Sequence, residues 1–235
     1  MLQVEINRIS LKKDNSEEVL LKDVDFSLNE NEVLCILGEN GSGKSTLIKS
    51  LVRLLDDNDY KVEGSIKING KEILTANEDE LLEIRKKYFG YVFQDVQNTF
   101  DPLKKLEYYF KKYLNSKEIK ELFNYFLLDD VNVIIKKHPY ELSGGMLQRL
   151  SLIFTLLRNP DIIILDEPTS NVDYPISNLI LLKIKEFAEQ KNKSVLIVTQ
   201  DLEFAKKFER VLLIKNKTIN WINSQLINEK ILSNG

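Results

Sequence analysis

The stretch Gly38-Glu39-Asn40-Gly41-Ser42-Gly43-Lys44-Ser45-Thr46 constrains this chain more than any other, because it follows the apolar run 33–37 and opens a helical pattern over about 44–54. A buried strand, a glycine-rich turn and a helix N-terminus in that order point backbone N–H groups at an anion, and the helix dipole adds to the attraction. The spacing matches the phosphate-binding loop pattern, in which Lys44 supplies a mobile positive charge and the Ser45 hydroxyl is available to Mg²⁺. An ordinary glycine-rich turn explains the glycines but not the strand, the helix and the Lys-Ser pair together.

The rest of the chain fits an α/β class. Alternation at 2–6 and 24–28 reads as short strands, 64–70 as a strand ending in an Asn-Gly turn, and 88–93 as a further apolar strand. Between about 103 and 137 the strand signals give way to lysine-rich helical patterns, which suggests an inserted helical subdomain. Strand and helix then alternate, with strands at 162–165 and 195–198 and helices through 179–189 and Phe204, as a mainly parallel sheet requires. The 235 residues carry 33 basic and 36 acidic side chains, a net charge of -3, mixed along the chain. That balance argues against a protein built to hold nucleic acid. Cys35 sits among Val33, Leu34, Ile36 and Leu37 and reads as core rather than as a nucleophile. No apolar run approaches the roughly 18 to 20 residues that cross a bilayer, and the first residues lack a signal-peptide pattern, so a cytosolic chain that meets a membrane through a partner is expected.

Two further motifs carry chemistry. The strand ending Leu165-Asp166-Glu167 delivers two carboxylates where ligands of doubly wound sheets sit. Asp166 is placed to hold Mg²⁺ through water, and Glu167, one residue on, to polarise an attacking water. A solvated acidic turn is the plainer explanation, but it weakens once a phosphate loop is present. Leu142-Ser143-Gly144-Gly145-Met146-Leu147-Gln148-Arg149 opens a helix with Ser-Gly-Gly, a second anion site without a lysine of its own. A helix simply capped by Ser143 accounts for the serine and leaves the rest of the set unexplained.

Taken in order, the phosphate loop, Gln94 after a strand, Ser143-Gly144-Gly145 with Gln148, Asp166-Glu167, and Ser170-Asn171-Val172-Asp173 resemble the ABC transporter ATPase family over essentially the whole chain. The resemblance implies a single domain over 1–235 of P-loop type, with a mainly parallel core sheet, an antiparallel β subdomain and a helical subdomain inserted at about 97–158. It implies ATP and Mg²⁺ as ligands, with Gln94 joining Ser45 and Asp166 at the metal, and a head-to-tail dimer in which the Lys44 loop of one subunit and the Ser143 segment of the other clamp one ATP. Asp173 is then expected to communicate across the dimer. The implied partners are integral membrane permease subunits, a second ATPase subunit and a substrate-binding protein, at the cytoplasmic face of the membrane. Phe93-Gln94-Asp95, Phe100-Asp101-Pro102 and His138-Pro139-Tyr140-Glu141 look most like the peptide and nickel importer group. The chain stops soon after Trp221, without the His-Pro-Tyr-Thr type extension of that group.

Two departures stand out. The family places Thr-His-Asp after the strand at 195–198, whereas this chain has Thr199-Gln200-Asp201. Gln200 can donate an amide hydrogen bond to a γ-phosphate but cannot become a charged imidazolium. A slow site paired with a non-identical partner is therefore expected, the alternatives being a glutamine that simply substitutes, a weakly hydrolytic regulatory subunit, or a soluble ABC ATPase outside transport. The family also offers an adenine-stacking ring, expected here within Asp14-Asn15-Ser16-Glu17-Glu18, and there is none; Val19 is the aliphatic residue expected to compensate. His138, the sole histidine, precedes a proline before the Ser143 segment and reads as a loop residue. The aromatic and lysine mixture at 108–113 reads as a packed helix of the insertion rather than a single-strand nucleic-acid platform, and Lys86-Lys87 and Lys206-Lys207 as solvated helix faces.

Overall fold

The computed structural model describes residues 1–13, 16–96, 99–170, 172–228 and 231. Asp14, Asn15, Asn171 and the first two residues of the expected insertion, 97 and 98, lie outside these. The described residues build two sheets. Strands β1 (Leu2–Lys13), β2 (Ser16–Leu28), β4 (Tyr60–Ile68) and β5 (Lys71–Glu72) form an antiparallel sheet in the order β2-β1-β4-β5. Strands β3 (Val33–Gly38), β6 (Phe89–Val92), β7 (Ile162–Asp166), β8 (Ser194–Thr199), β9 (Arg210–Lys215) and β10 (Thr218–Ile222) form a second sheet in the order β10-β9-β3-β8-β7-β6. All its pairings are parallel except β10 with β9.

The central strands are apolar at nearly every position because both faces of their sheet are covered. Alternate residues divide between two cores. Cys35, Leu37, Ile163, Leu165, Val195 and Ile197 face the helices that follow β6 in the chain. Leu34, Ile36, Ile162, Ile164, Leu196 and Val198 face helix α1 (Lys44–Leu51), helix α2 (Glu78–Tyr88) and the antiparallel sheet. Burial pushes the Cys35 thiol far above its ordinary value, as expected of core rather than nucleophile.

Between β6 and β7 the described regular elements are all helical: α3 (Glu107–Phe110), α4 (Lys117–Tyr125), α5 (Val131–Ile134) and α6 (Gly144–Arg158). Within the aromatic stretch, Phe110 is fully buried and packs edge-on against Phe123 and Phe154, whereas Tyr108 is 64% exposed. After β7 come α7 (Tyr174–Ala188) and α8 (Leu202–Ala205). Among the described residues, no helix is long and apolar enough to cross a membrane.

Several boundaries move from those read in the sequence, each for a local reason. Helix α1 stops at Leu51, short of 54, because Arg53 takes a left-handed backbone (φ 48); Arg85 of α2 donates to the Val52 carbonyl this exposes (2.7 Å). Tyr88 ends α2, held at its start by an Asn77–Glu80 capping box, so β6 begins one residue later than expected. Helix α7 starts at Tyr174, where Asp173 accepts from the Ile176 N–H (3.2 Å) and Pro175 occupies the first turn. Lys207 is a correction to the solvated-face reading: it is partly buried, donates to Asn178 Oδ1 (3.1 Å) and lies over the Tyr174 ring.

Candidate active site

The C-terminal ends of β3, β7 and β8 lie side by side, and the loops leaving them surround a cavity of about 500 Å³. This is the position at which open parallel sheets bind ligands. All nine loop residues expected at phosphates are near it, and Glu39 through Thr46 line it together with Gln94 and Glu167. Gly38 closes the strand end, where an added Cβ would stand 2.6 Å from Ser42 Oγ. Gly43 takes φ 100 as the residue before α1, and a Cβ there would press on Leu21 at 3.1 Å. No side chain caps the first N–H groups of α1, which leaves them to a ligand.

Three charged side chains are buried here: Lys44 (5% exposed), Asp166 (3%) and Glu167 (4%). Lys44 Nζ donates to the carbonyls of Gly38 and Glu39, both at 2.9 Å, and stands 3.4 Å from Glu167 Oε1. The other Glu167 oxygen accepts from Thr199 Oγ1 (3.1 Å) and from the Gln200 backbone N–H (3.2 Å). Oε1 is buried with no hydrogen bond among the described residues, so one oxygen is held and its twin is left to act. Glu167 also has a left-handed backbone (φ 50), fixed by its N–H on the Val198 carbonyl (2.9 Å) and by Ser170 Oγ donating to its own carbonyl (3.0 Å).

Asp166 accepts from Ser45 Oγ at 3.3 Å. Burial pushes its carboxyl above the ordinary range, the Ser45 hydrogen bond opposes this, and the neighbouring Glu167 charge reinforces it. A cation beside it would reverse that penalty. Among the described residues no cluster of three or more His, Cys, Asp or Glu is present. That donor set fits Mg²⁺, which binds through one or two protein oxygens and takes its other ligands from phosphate and water; Ser45, Asp166 and the cavity-lining Gln94 are the residues that could hold it.

Other expected site residues are not brought to the cavity. Ser143, Gly144 and Gly145 begin α6 outside it, and Ser143 Oγ accepts from the Met146 N–H (3.3 Å). Gln148 is buried, and its Nε2 reaches the Glu167 carbonyl at 3.4 Å. Gln200 meets Glu167 through its backbone, and its side chain is not on the cavity wall. Val19 is not on the wall either; Leu20 is, with Ile214 and the turn 215–217, and no aromatic ring is among the lining residues. Thr199, which holds the Glu167 carboxylate, was not singled out in the sequence; its signal was a polar side chain following the apolar run 195–198.

A family model described as ABC transporter matches residues 21–170. The oligopeptide transport ATP-binding protein OppD of Lactococcus lactis subsp. cremoris is 35% identical over 192 residues, 77% of this chain and 56% of that protein. The phosphonates import ATP-binding protein PhnC of Fusobacterium nucleatum subsp. nucleatum is 35% identical over 224 residues, 89% of this chain and 88% of that protein. The chain thus spans little more than half the length of the OppD relative. Among solved structures, the dimeric post-hydrolysis state of the ATP-binding cassette MJ0796 bound to ADP and Pi matches with a TM-score of 0.81 at 27% identity, over 95% of this chain and 99% of that one.

Proposed function

This chain belongs to the ABC transporter ATPase family, and from that premise we propose that it is the ATP-binding and ATP-hydrolysing subunit of a membrane importer for peptides or for metal ions and their chelates. The observation that carries the reading is the Glu167 carboxylate, with one oxygen fixed by Thr199 and Gln200 and the other facing Lys44 at the phosphate loop. When phosphates fill the loop, Lys44 exchanges its two carbonyl acceptors for phosphate oxygens. Glu167 Oε1 is then free to accept a proton from water aligned with the γ-phosphate, and Thr199 keeps the carboxylate from turning. Ser45, Asp166 and Gln94 would hold Mg²⁺, which would offset charge on the phosphates.

The Ser143 segment lies outside its own chain's cavity, which supports a head-to-tail dimer in which it closes the partner's site. A groove of about 390 Å³ is lined by Val52, Leu54, Phe89, Phe93, Arg85 and Arg158, and Phe93 directly precedes Gln94 in the chain. Leu54 and Leu82 are exposed there. We place a cytoplasmic segment of the permease in it, so that the chain works at the inner membrane surface through its partner, with a substrate-binding protein delivering cargo. PhnC and OppD carry import and transport in their names, which supports the importer reading.

Gln200 favours one refinement: the site built on this subunit's own Lys44 and Glu167 turns over slowly, and a non-identical ATPase subunit supplies the faster site. A neutral amide donor gives roughly half the hydrogen-bond strength of a charged one. The test is native isolation from solubilised membranes with an ATPase assay on the complex. Two permeases, a second ATPase subunit, a modest loss with Glu167→Gln and a gain with Gln200→His are expected. Recovery of this subunit alone with fast turnover abolished by Glu167→Gln would defeat the asymmetric form, and a ribosome or nucleic-acid complex would defeat the transport reading.

A further inference from the structure

Glu167 is held from three directions. Its own loop fixes its carbonyl, which accepts from the Ser170 N–H (3.2 Å) and from Ser170 Oγ (3.0 Å). Strand β8 fixes its N–H through the Val198 carbonyl and one carboxylate oxygen through Thr199 and the Gln200 N–H. The third hold comes from the helical insertion, where Gln148 Nε2 donates to the same Glu167 carbonyl at 3.4 Å. Gln148 is 1% exposed, so it serves its own chain and is not available to a nucleotide clamped against the start of α6. A non-glycine residue keeps a left-handed backbone such as φ 50 only where its surroundings hold it, so each of these bonds bears on where the carboxylate points.

The placement of Gln148 follows from how α6 lies on the sheet. Gln148, Ser151 and Thr155 are buried polar residues at spacings of three and four, on one face of the helix. Thr155 meets β6 at Gly90, where an added Cβ would stand 2.5 Å from Thr155 Cγ2. That close approach seats the far part of α6 on the sheet, and the first turns then carry Gln148 to the end of β7, the neighbour of β6. The next residue ties the same turn to the rest of the insertion: Arg149 donates to the Phe126 and Leu127 carbonyls just beyond α4, at 2.9 and 3.2 Å. Gln148 lies about 7.5 Å along the helix axis from Ser143, so a displacement of the α6 start or of α4 is felt there. At 3.4 Å its bond is at the long end of the range, and a small movement tightens or breaks it.

We propose that Gln148 is a positioning residue for hydrolysis: it holds the Glu167 main chain, so that the carboxylate is aligned only while α6 is seated against β7. The proposal rests on the role given to Glu167 above and adds the residue through which the insertion acts on it. Its first test is amide hydrogen exchange of Glu167 and Ser170 in the full chain. Gln148→Met removes the donor and keeps the length, and Gln148→Leu is a second variant without it. Exchange is expected to quicken by about fivefold, the worth of one neutral hydrogen bond, whereas Ser151→Ala, on the same face and further along α6, should leave it unchanged. Exchange as in the wild type, or an equal change with Ser151→Ala, overturns the proposal. The second test is turnover of the complex isolated from membranes. Gln148→Met should reproduce most of the loss caused by Glu167→Gln, keep KM for ATP within about twofold, and add nothing to Glu167→Gln in the double variant. A loss that recurs in full in the Glu167→Gln background assigns Gln148 to folding alone and overturns the proposal. If Glu167→Gln itself leaves turnover unchanged, the reading of Glu167 falls as well; if it lowers turnover and Gln148→Met does not, only the positioning role falls.

Discussion

Two glycine-rich helix starts in this molecule, before α1 and before α6, look alike in sequence and differ in what surrounds them. Gly43 precedes α1 in a left-handed conformation with no side-chain cap, on a cavity also lined by Lys44 and Glu167, with buried Asp166 hydrogen-bonded to the lining Ser45. Ser143 precedes α6 in an extended conformation, and its own hydroxyl occupies one of the N–H groups. The α1 start has open donors, a cation and carboxylates, and so is sufficient for phosphate. The α6 start has donors only and depends on a second molecule for the rest. Helix dipole and glycine are common to both; buried charge is what separates a site from half of one.

The strongest way to break that comparison is Lys44→Ala against Ser143→Arg in the isolated chain. Lys44→Ala is expected to weaken triphosphate binding by about 100-fold, since two charge-assisted bonds are lost, whereas Ser143→Arg should leave it within about twofold because that residue is outside the cavity. Equal losses in calorimetry mean that α6 already belongs to its own chain's site. In the complex with its second ATPase subunit and a Glu167→Gln background, ATP should tighten the pairing of the two ATPase chains, and Ser143→Arg in this chain should weaken it by about tenfold or more in dimer affinity.

A third measurement concerns the cost of the charged site. Asp166 has a folded pKa above its unfolded value, so the native state binds more protons and this group's contribution to stability declines as pH rises through that raised pKa. Asp166→Asn removes the penalty and should raise the melting temperature at neutral pH by about 2–4 °C in the absence of nucleotide, while lowering Mg²⁺-dependent turnover. The gain should shrink as pH falls through that raised pKa and vanish only below the ordinary Asp value of 3.8; a gain that persists there assigns the effect to something other than charge. The smallest effect is Ser143→Ala, which removes a cap and should cost about 1 kcal/mol in denaturant titration.

The phosphate loop, the β7 carboxylates and the alternating strands were legible because each is a local pattern with a local physical cause. The cavity wall beyond the phosphate loop was not. β1 shifts register against β2 between Ile9 and Ser10, which leaves Leu20 without a partner between Val19 and Leu21, so the residue that lines the cavity is set by pairing and not by composition. The turn 215–217 reaches the same cavity only because β9 pairs with β3. Gln200 was expected to act through its side-chain amide, whereas here its backbone N–H meets Glu167, a contact that depends on β8 lying beside β7, which spacing does not reveal.

The strand order has a consequence for synthesis. Residues 33–37 pair on one side with 195–199 and on the other with 210–213, so β3, made early, finds both neighbours late. The β1–β2 hairpin closes on adjacent chain, but the strand that leads into the phosphate loop has no partner until most of the polypeptide has left the ribosome. Pairings that distant make folding slow and leave apolar edges uncovered meanwhile. A nascent chain arrested before Thr199 therefore holds the motif for phosphate without the sheet that shapes it, and its exposed β3 is where a chaperone has most to do.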